Sequence, residues 1–129
     1  LFYETPEVMR PYVYPPDITL EPVTIDYWVE QGDTIELLGE TIEIRHVPGH
    51  CPGNILFHFA ARKAAFVGDA LFAGSIGRTD LKGGDFPTLE RSIREQIYTL
   101  DPETNVFPGH GPQTTVGQEF ETNPFVPGR

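Results

Sequence analysis

Cysteine and basic side chains are both scarce in this chain of 129 residues, and each scarcity excludes a class of protein. The one cysteine, Cys51, excludes an internal disulfide framework and fits a reducing compartment, so we expect a cytoplasmic protein. Nine Lys and Arg against nineteen Asp and Glu give a net charge of −10, which argues against nucleic acid and anionic membranes as partners. No apolar run approaches the roughly 18 residues that a membrane-spanning helix needs.

Methionine is also scarce. The only one is Met9, and the chain begins at Leu1. We therefore expect a piece of a longer protein that forms a single partial domain over residues 1–129. Prolines are concentrated at the start of the chain, which predicts an irregular, Pro-rich lead-in over residues 1–22.

Alternating apolar and polar residues after this lead-in predict two β-hairpins. The first joins strands at 34–38 and 41–47 through Gly39-Glu40, and the second joins strands at 54–60 and 64–67 through Arg62-Lys63. A further short strand is predicted at 105–107.

Two helices are predicted. Residues 87–100 carry an apolar stripe at helical spacing, with Asp85 or Phe86 as the cap and Pro87 in the first turn. Thr115 and Gln118 form the capping pattern of a short last helix. The order of elements predicts a layered α+β or α/β domain.

Three side chains that can bind metal ions follow the ends of predicted strands. His50, Asp69 and His110 each lie in a loop that contains glycine. Because such strand ends can meet at one edge of a sheet, we expect the three side chains to converge. Imidazole nitrogen and carboxylate oxygen are donors that suit zinc, iron or manganese.

The loops that hold these residues carry four ordered motifs, namely HVPGHCPG at 46–53, GDALF at 68–72, GRTD at 77–80 and PGHG at 108–111. Over about residues 30–125 the series resembles the glyoxalase II-like branch of metallo-β-lactamase-fold hydrolases. The resemblance implies an α+β fold, the αββα sandwich, of which this chain covers about the C-terminal half as a mixed sheet with flanking helices.

The same resemblance implies the chemistry. His50 matches a histidine of the first metal site, Asp69 the catalytic carboxylate that bridges two metals, and His110 the histidine of the second site. Two divalent metal ions are implied, zinc before iron or manganese, acting on a small-molecule substrate, a thioester. Hydrolysis by an activated water needs no side-chain nucleophile.

One family motif is missing from this chain. The pattern His-x-His-x-Asp-His supplies the remaining ligands in the family, and no two of the four histidines here are spaced by two. We therefore expect the chain alone to be inactive, and to need the absent N-terminal half or a homo-oligomer contact. Cys51 stands where relatives often carry Thr or Ser, either as a packed residue or as a redox-sensitive thiol.

Two other functions stay open. Related enzymes use one iron to oxidise persulfides with the equivalents of His50 and Asp69, although His110 favours two metals. A non-catalytic half-fold or pseudoenzyme is the third hypothesis, and it rests on the missing motif alone.

The remaining polar and aromatic residues have less specific interpretations. His46 shares a strand face with Ile42 and Ile44, so it is predicted to point inward, and His58 is predicted to be structural. The Arg78–Asp80 pair either shapes its loop or orients a ligand. Four aromatic residues are predicted to pack or to line a substrate cleft: Tyr12, Tyr14, Tyr27 and Trp28.

Overall fold

The structure is a computed structural model that describes residues 17, 19 and 21–129, so most of the predicted lead-in lies outside it. Among the described residues, six strands form one sheet in the order β1-β2-β3-β4-β7-β8. These strands are β1 Thr34–Leu37, β2 Glu40–His46, β3 Ile55–Phe59, β4 Ala64–Gly68, β7 Asn105–Pro108 and β8 Thr114–Thr115. A separate two-stranded hairpin consists of β5 Leu71–Phe72 and β6 Ser75–Ile76.

Neighbouring strands of the large sheet are antiparallel, except that β4 and β7 are parallel. The parallel pair requires a crossover, and the helices between β6 and β7 provide it. The sheet is therefore mixed and is flanked by helices, which confirms the predicted α+β class.

The first hairpin turns one residue earlier than predicted. Leu38 and Gly39 form the turn, with φ values of 55° and 78°. Two consecutive positive φ angles match the right-handed twist of the flanking strands, so the turn falls on the residue pair that can adopt them. The second hairpin turns at a 3₁₀ segment, Ala60–Arg62, and Lys63, as predicted.

The predicted long helix has two parts. Helix α1 spans Phe86–Ser92, with the Asp85 side chain accepting a hydrogen bond from the Thr88 backbone N–H. Residues Ile93–Ile97 continue it as a π-helical segment that closes with a hydrogen bond from Tyr98 N–H to the Ile93 carbonyl. Both the cap at Asp85 and Pro87 in the first turn are confirmed, but the helix ends at Ile97 and not at residue 100.

The last helix, α2, spans Val116–Thr122 and begins as predicted. The Thr115 hydroxyl accepts a hydrogen bond of 3.1 Å from the Gln118 backbone N–H. None of the helices in the described part of the chain is long and apolar enough to cross a bilayer.

The core lies between one face of the sheet and the helices. Leu56, Ala65 and Val106 are fully buried there, against Leu89 and Ile93 of the helical segment. Removal of this apolar surface from water stabilises the layer by roughly 25 cal/mol per Å².

The opposite face of the sheet carries aromatic side chains. Phe66 stacks on Phe107 with ring centroids 5.0 Å apart and meets the edge of Phe59 at 5.6 Å. Phe66 remains 46% exposed, although its neighbour Ala65 on the helix side is fully buried. The two faces of the sheet therefore differ in how completely the described residues cover them.

Candidate metal centre

The strands that precede the three candidate ligands run in the same direction. Strand β2 is antiparallel to β3, β3 is antiparallel to β4, and β4 is parallel to β7. The carboxyl ends of β2, β4 and β7 therefore lie at the same edge of the sheet. His50, Asp69 and His110 follow these three ends.

The structure brings the three side chains together as expected. One carboxylate oxygen of Asp69, Oδ1, lies 2.9 Å from His110 Nδ1, and the other, Oδ2, lies 3.7 Å from His50 Nε2. Each oxygen of this carboxylate thus faces a different imidazole. Asp69 and His50 are partly buried, whereas the His110 side chain is 77% exposed.

Two glycines allow the chain to close around Asp69. A Cβ atom at Gly109 would collide with Asp69 Oδ1, and one at Gly77 would collide with the Asp69 carbonyl oxygen. Any other residue at these two positions would force the loops apart. Gly77 and Gly109 therefore allow the loops to lie close to Asp69.

The loop after β6 fixes the orientation of His50. The carbonyl oxygen of Arg78 lies 2.8 Å from His50 Nδ1, and a carbonyl can only accept, so Nδ1 carries the proton. The lone pair of neutral His50 is then on Nε2, which faces Asp69. A histidine held in this way is a typical metal ligand.

The Arg78 side chain shapes the loop by binding Asp80 through two hydrogen bonds of 2.8 Å. Those bonds lower the pKa of Asp80 to about 2, so the pair is ionised at neutral pH. The Arg78–Asp80 pair therefore shapes the loop, whereas His50 is oriented by the Arg78 main chain and not by the ion pair.

Asn54 is a site-building residue that the sequence did not suggest. Its side-chain amide donates to the carbonyls of Val47 and Val67, at 3.4 and 3.1 Å. These carbonyls lie just past β2 and near the end of β4, so Asn54 ties together the segments that lead to His50 and Asp69. Its position directly after the motif at 46–53 was the only available signal.

The other candidate residues lie outside the cluster. His46 is exposed and its Nε2 lies 2.6 Å from the Pro52 carbonyl, so the prediction that it points inward is wrong. Burial alternates only as far as Ile44 on this strand, because beyond it Val47 and not His46 is buried. His58 is structural as predicted, with Nδ1 3.1 Å from Glu43 Oε1.

Among the described residues, Cys51, Tyr27 and Trp28 form no hydrogen bond or ring contact with the three candidate ligands. Cys51 is half-buried, and burial raises the pKa of its thiol, which favours the packed form over a reactive thiolate. Tyr27 and Trp28 are 75% and 67% exposed, so the expectation of packing is wrong for them. Tyr12 and Tyr14 lie outside the described residues.

The side chains of His50, Asp69 and His110 provide some of the ligands of a metal site but not a complete set. A carboxylate between two imidazoles is a donor set for zinc, iron or manganese. Among the described residues, however, no three His, Cys, Asp or Glu side chains are arranged to hold an ion by themselves. Catalytic zinc sites collect three protein ligands for each ion, so further ligands would be required.

The chain is similar to known proteins over most of its length. The chain is 42% identical over 127 residues to the hydroxyacylglutathione hydrolase GloC of Haemophilus influenzae, covering 98% of this chain and 58% of that protein. The BLEG-1 B3 metallo-beta-lactamase superposes with a TM-score of 0.85 at 37% identity, over 97% of this chain and 60% of that one. TTHA1623 in a di-iron-bound form gives 0.73 at 37% identity, over the same shares of the two chains.

The chain spans 58 to 60% of the length of these relatives, which agrees with a partial fold. Their structures confirm that the α+β layer is part of the metallo-β-lactamase fold. The family model described as "Metallo-beta-lactamase superfamily" matches residues 3–110. This chain therefore belongs to the metallo-β-lactamase superfamily.

Proposed function

We propose that this chain contributes His50, Asp69 and His110 to the two-metal centre of a hydrolase that acts on thioesters. The observation that carries the proposal is the Asp69 carboxylate, whose two oxygens face two different histidines at 2.9 and 3.7 Å. The named activity of the relative GloC and the di-iron form of TTHA1623 support the substrate class and the number of metals.

Each residue has a distinct role in this proposal. His50 presents Nε2 as a donor because Arg78 holds the proton on Nδ1. Asp69 supplies negative charge that is shared between two positions, and His110 supplies a donor at the exposed side. When bound, divalent metals supply Lewis acidity, which lowers the pKa of water and polarises a carbonyl. No nucleophilic side chain is required of the protein.

The chain alone is expected to be inactive. Three donors shared between two ions leave both coordination shells short of the three protein ligands of catalytic zinc sites. The remaining ligands would come from the rest of a longer protein or from a second copy, since this sequence lacks the His-x-His-x-Asp-His pattern.

We also propose that the aromatic face around Phe66 meets a second sheet, supplied by the rest of a longer protein or by a second copy of this chain. An exposed apolar patch of this kind favours association. Size-exclusion chromatography with intact mass measurement tests this. A monodisperse folded monomer of 14.4 kDa would contradict it.

The test of function is thioester hydrolysis by the protein purified at its native length from its source organism. Preparations loaded with zinc, iron or manganese should hydrolyse a hydroxyacylglutathione, and Asp69→Ala should abolish the activity. Equal rates for wild type and Asp69→Ala would contradict the proposal. Oxygen consumption with a persulfide by an iron-loaded preparation, without thioester hydrolysis, would favour the one-iron alternative instead.

A further inference from the structure

A carboxylate is buried away from the candidate metal centre. Glu119 of α2 is 2% exposed, and within the described part of the chain it forms no ion pair. Its Oε1 accepts hydrogen bonds from Gly74 N–H at 2.9 Å and from the Asn123 side-chain amide at 3.0 Å. Its Oε2 accepts one from the Thr114 hydroxyl at 2.5 Å.

Asn123 is buried beside it and uses all of its hydrogen-bonding capacity. Its amide nitrogen donates to Glu119 and to the Ser75 carbonyl at 3.1 Å. Its oxygen accepts from the backbone N–H groups of Phe125 and Val126 at 2.9 and 3.1 Å. The amide is therefore locked in one orientation, with a donor aimed at Ser75.

Both side chains hold the same turn. Gly74 lies in the turn of the hairpin formed by β5 and β6, and Ser75 is the first residue of β6. Glu119 accepts a hydrogen bond from the Gly74 N–H, and Asn123 donates one to the carbonyl of the adjacent Ser75. The hairpin is thus anchored to α2 by one hydrogen bond in each direction.

The two strands of that hairpin lead to the candidate ligands. Strand β5 begins two residues after Asp69, and Gly77, after β6, donates a hydrogen bond of 3.2 Å to the Ala70 carbonyl. The next residue, Arg78, orients His50 through its carbonyl. Phe72 of β5 meets the His110 ring edge-on, with ring centroids 6.3 Å apart. A shift of the hairpin would therefore move the surroundings of all three ligands.

A stability role alone does not explain this carboxylate. Burial of a charge without a cation is costly, and an apolar residue of similar size often packs as well or better. What an apolar residue cannot do is accept a hydrogen bond from Gly74. Position 119 therefore needs a side chain that accepts a hydrogen bond from the hairpin turn.

We propose that Glu119 and Asn123 are positioning residues that set the spacing of His50, Asp69 and His110 through the β5–β6 hairpin. The inference rests on the proposed function in one respect, that these three residues are metal ligands.

The chain offers graded variants for the test. Glu119→Ala removes the anchor, and Glu119→Asp keeps the charge but shortens its reach by one methylene. Glu119→Gln is the rescue variant, because its carbonyl can accept from Gly74 while its amide donates to the Thr114 hydroxyl. Thr114→Val is the matched control, since it removes a bond from the same carboxylate without touching the hairpin.

The measurements use the metal-free chain of 129 residues. Amide exchange at Gly74 reports on the anchor, and the ring signals of His50 and His110 in NMR spectra report on the spacing. His58 serves as an internal control because it pairs with Glu43 and not with the hairpin. A loss of structure throughout the chain would move all three ring signals, whereas loss of positioning moves only His50 and His110.

We expect Glu119→Ala and Glu119→Asp to speed Gly74 exchange by about tenfold and to shift the His50 and His110 signals, with His58 unchanged. Glu119→Gln and Thr114→Val should resemble wild type. If Glu119→Ala does not fold, Glu119→Asp decides. Unmoved His50 and His110 signals in a folded Glu119→Asp variant, or equal shifts in Thr114→Val, would overturn the proposal.

Zinc affinity provides a second measurement that separates this inference from the proposed function. If wild type binds zinc, Glu119→Asp should weaken binding by about 10- to 100-fold. Failure of wild type to bind zinc at all would count against the function, while the metal-free spectra would still decide whether the hairpin is a positioning device.

Discussion

Among the residues that the structure describes, two clusters combine histidine with a carboxylate, and their differences separate a candidate metal site from a structural ion pair. In the first cluster Asp69 lies between His50 and His110 in loops. In the second, Glu43 on β2 contacts His58 on β3 at 3.1 Å and Arg45 at 2.7 Å. The histidine–carboxylate distances are similar, but only the second carboxylate has a guanidinium beside it.

The arginine gives the second cluster a structural role. Arg45 also donates hydrogen bonds of 3.0 Å to the Gln96 carbonyl and to the Thr99 hydroxyl, which ties β2 to the end of the helical segment. With its charge neutralised, Glu43 has little to offer a metal ion. Asp69 has no such cation among its described partners, so its charge remains available.

The largest expected difference between the clusters is in metal binding. Asp69→Asn should abolish zinc binding that equilibrium dialysis detects, because it removes the only negative charge between the two histidines. The matched variant Glu43→Gln removes a charge of the same sign at nearly constant size and should leave binding unchanged. Similar losses in both variants would show that binding follows net charge and not the site.

A smaller effect is expected from acid. Burial acts to raise the pKa of Glu43, but hydrogen bonds from Arg45 and His58 outweigh it and hold the pKa below the ordinary value of 4.5. A lowered pKa in the folded state means that the ionised carboxylate stabilises the protein above its unfolded pKa. That stabilisation is lost as the pH falls through the folded pKa.

Thermal unfolding of wild type and Glu43→Gln between about pH 6 and pH 3 measures this contribution. The advantage of wild type should be a few degrees at the higher pH, because partly exposed ion pairs contribute about 1 kcal/mol or less. It should vanish at the lower pH. An advantage that does not change with pH would mean that Glu43 stabilises by packing and not by charge.

The smallest effect is expected at Cys51. Its thiol is half-buried, and its described hydrogen-bond partners are the backbone N–H groups of Gly53 and Asn54. Since a threonine hydroxyl can also accept from these groups, Cys51→Thr should change zinc affinity by less than about threefold. A loss as large as that of Asp69→Asn would make the thiol a ligand and would revise the donor set.

The sequence predicted the approach of the three candidate ligands because their positions depend on strand direction and on motif glycines. It also predicted both helix caps, since Asp85 and Thr115 act on backbone groups within three residues. These features are local, or they follow from periodic patterns. Such information is carried by a single sequence.

Features that depend on tertiary contacts were missed. The β5–β6 hairpin has two-residue strands, which are too short to show any alternation. The exposure of His46 was missed because the alternation of buried residues ends at Ile44, and Val47, just past β2, is buried instead. A glutamate on a short helix is usually a surface residue, whereas Glu119 is buried and accepts a hydrogen bond from the distant Gly74.

The most direct test of the central claim is a zinc titration of the unmodified chain, followed through the NMR ring signals of its four histidines. We predict that the signals of His50 and His110 move together at the same zinc concentration, while those of His46 and His58 stay in place. Movement of His46 or His58 at that concentration, or no change at His50 and His110 up to millimolar zinc, would contradict the assignment of the metal centre.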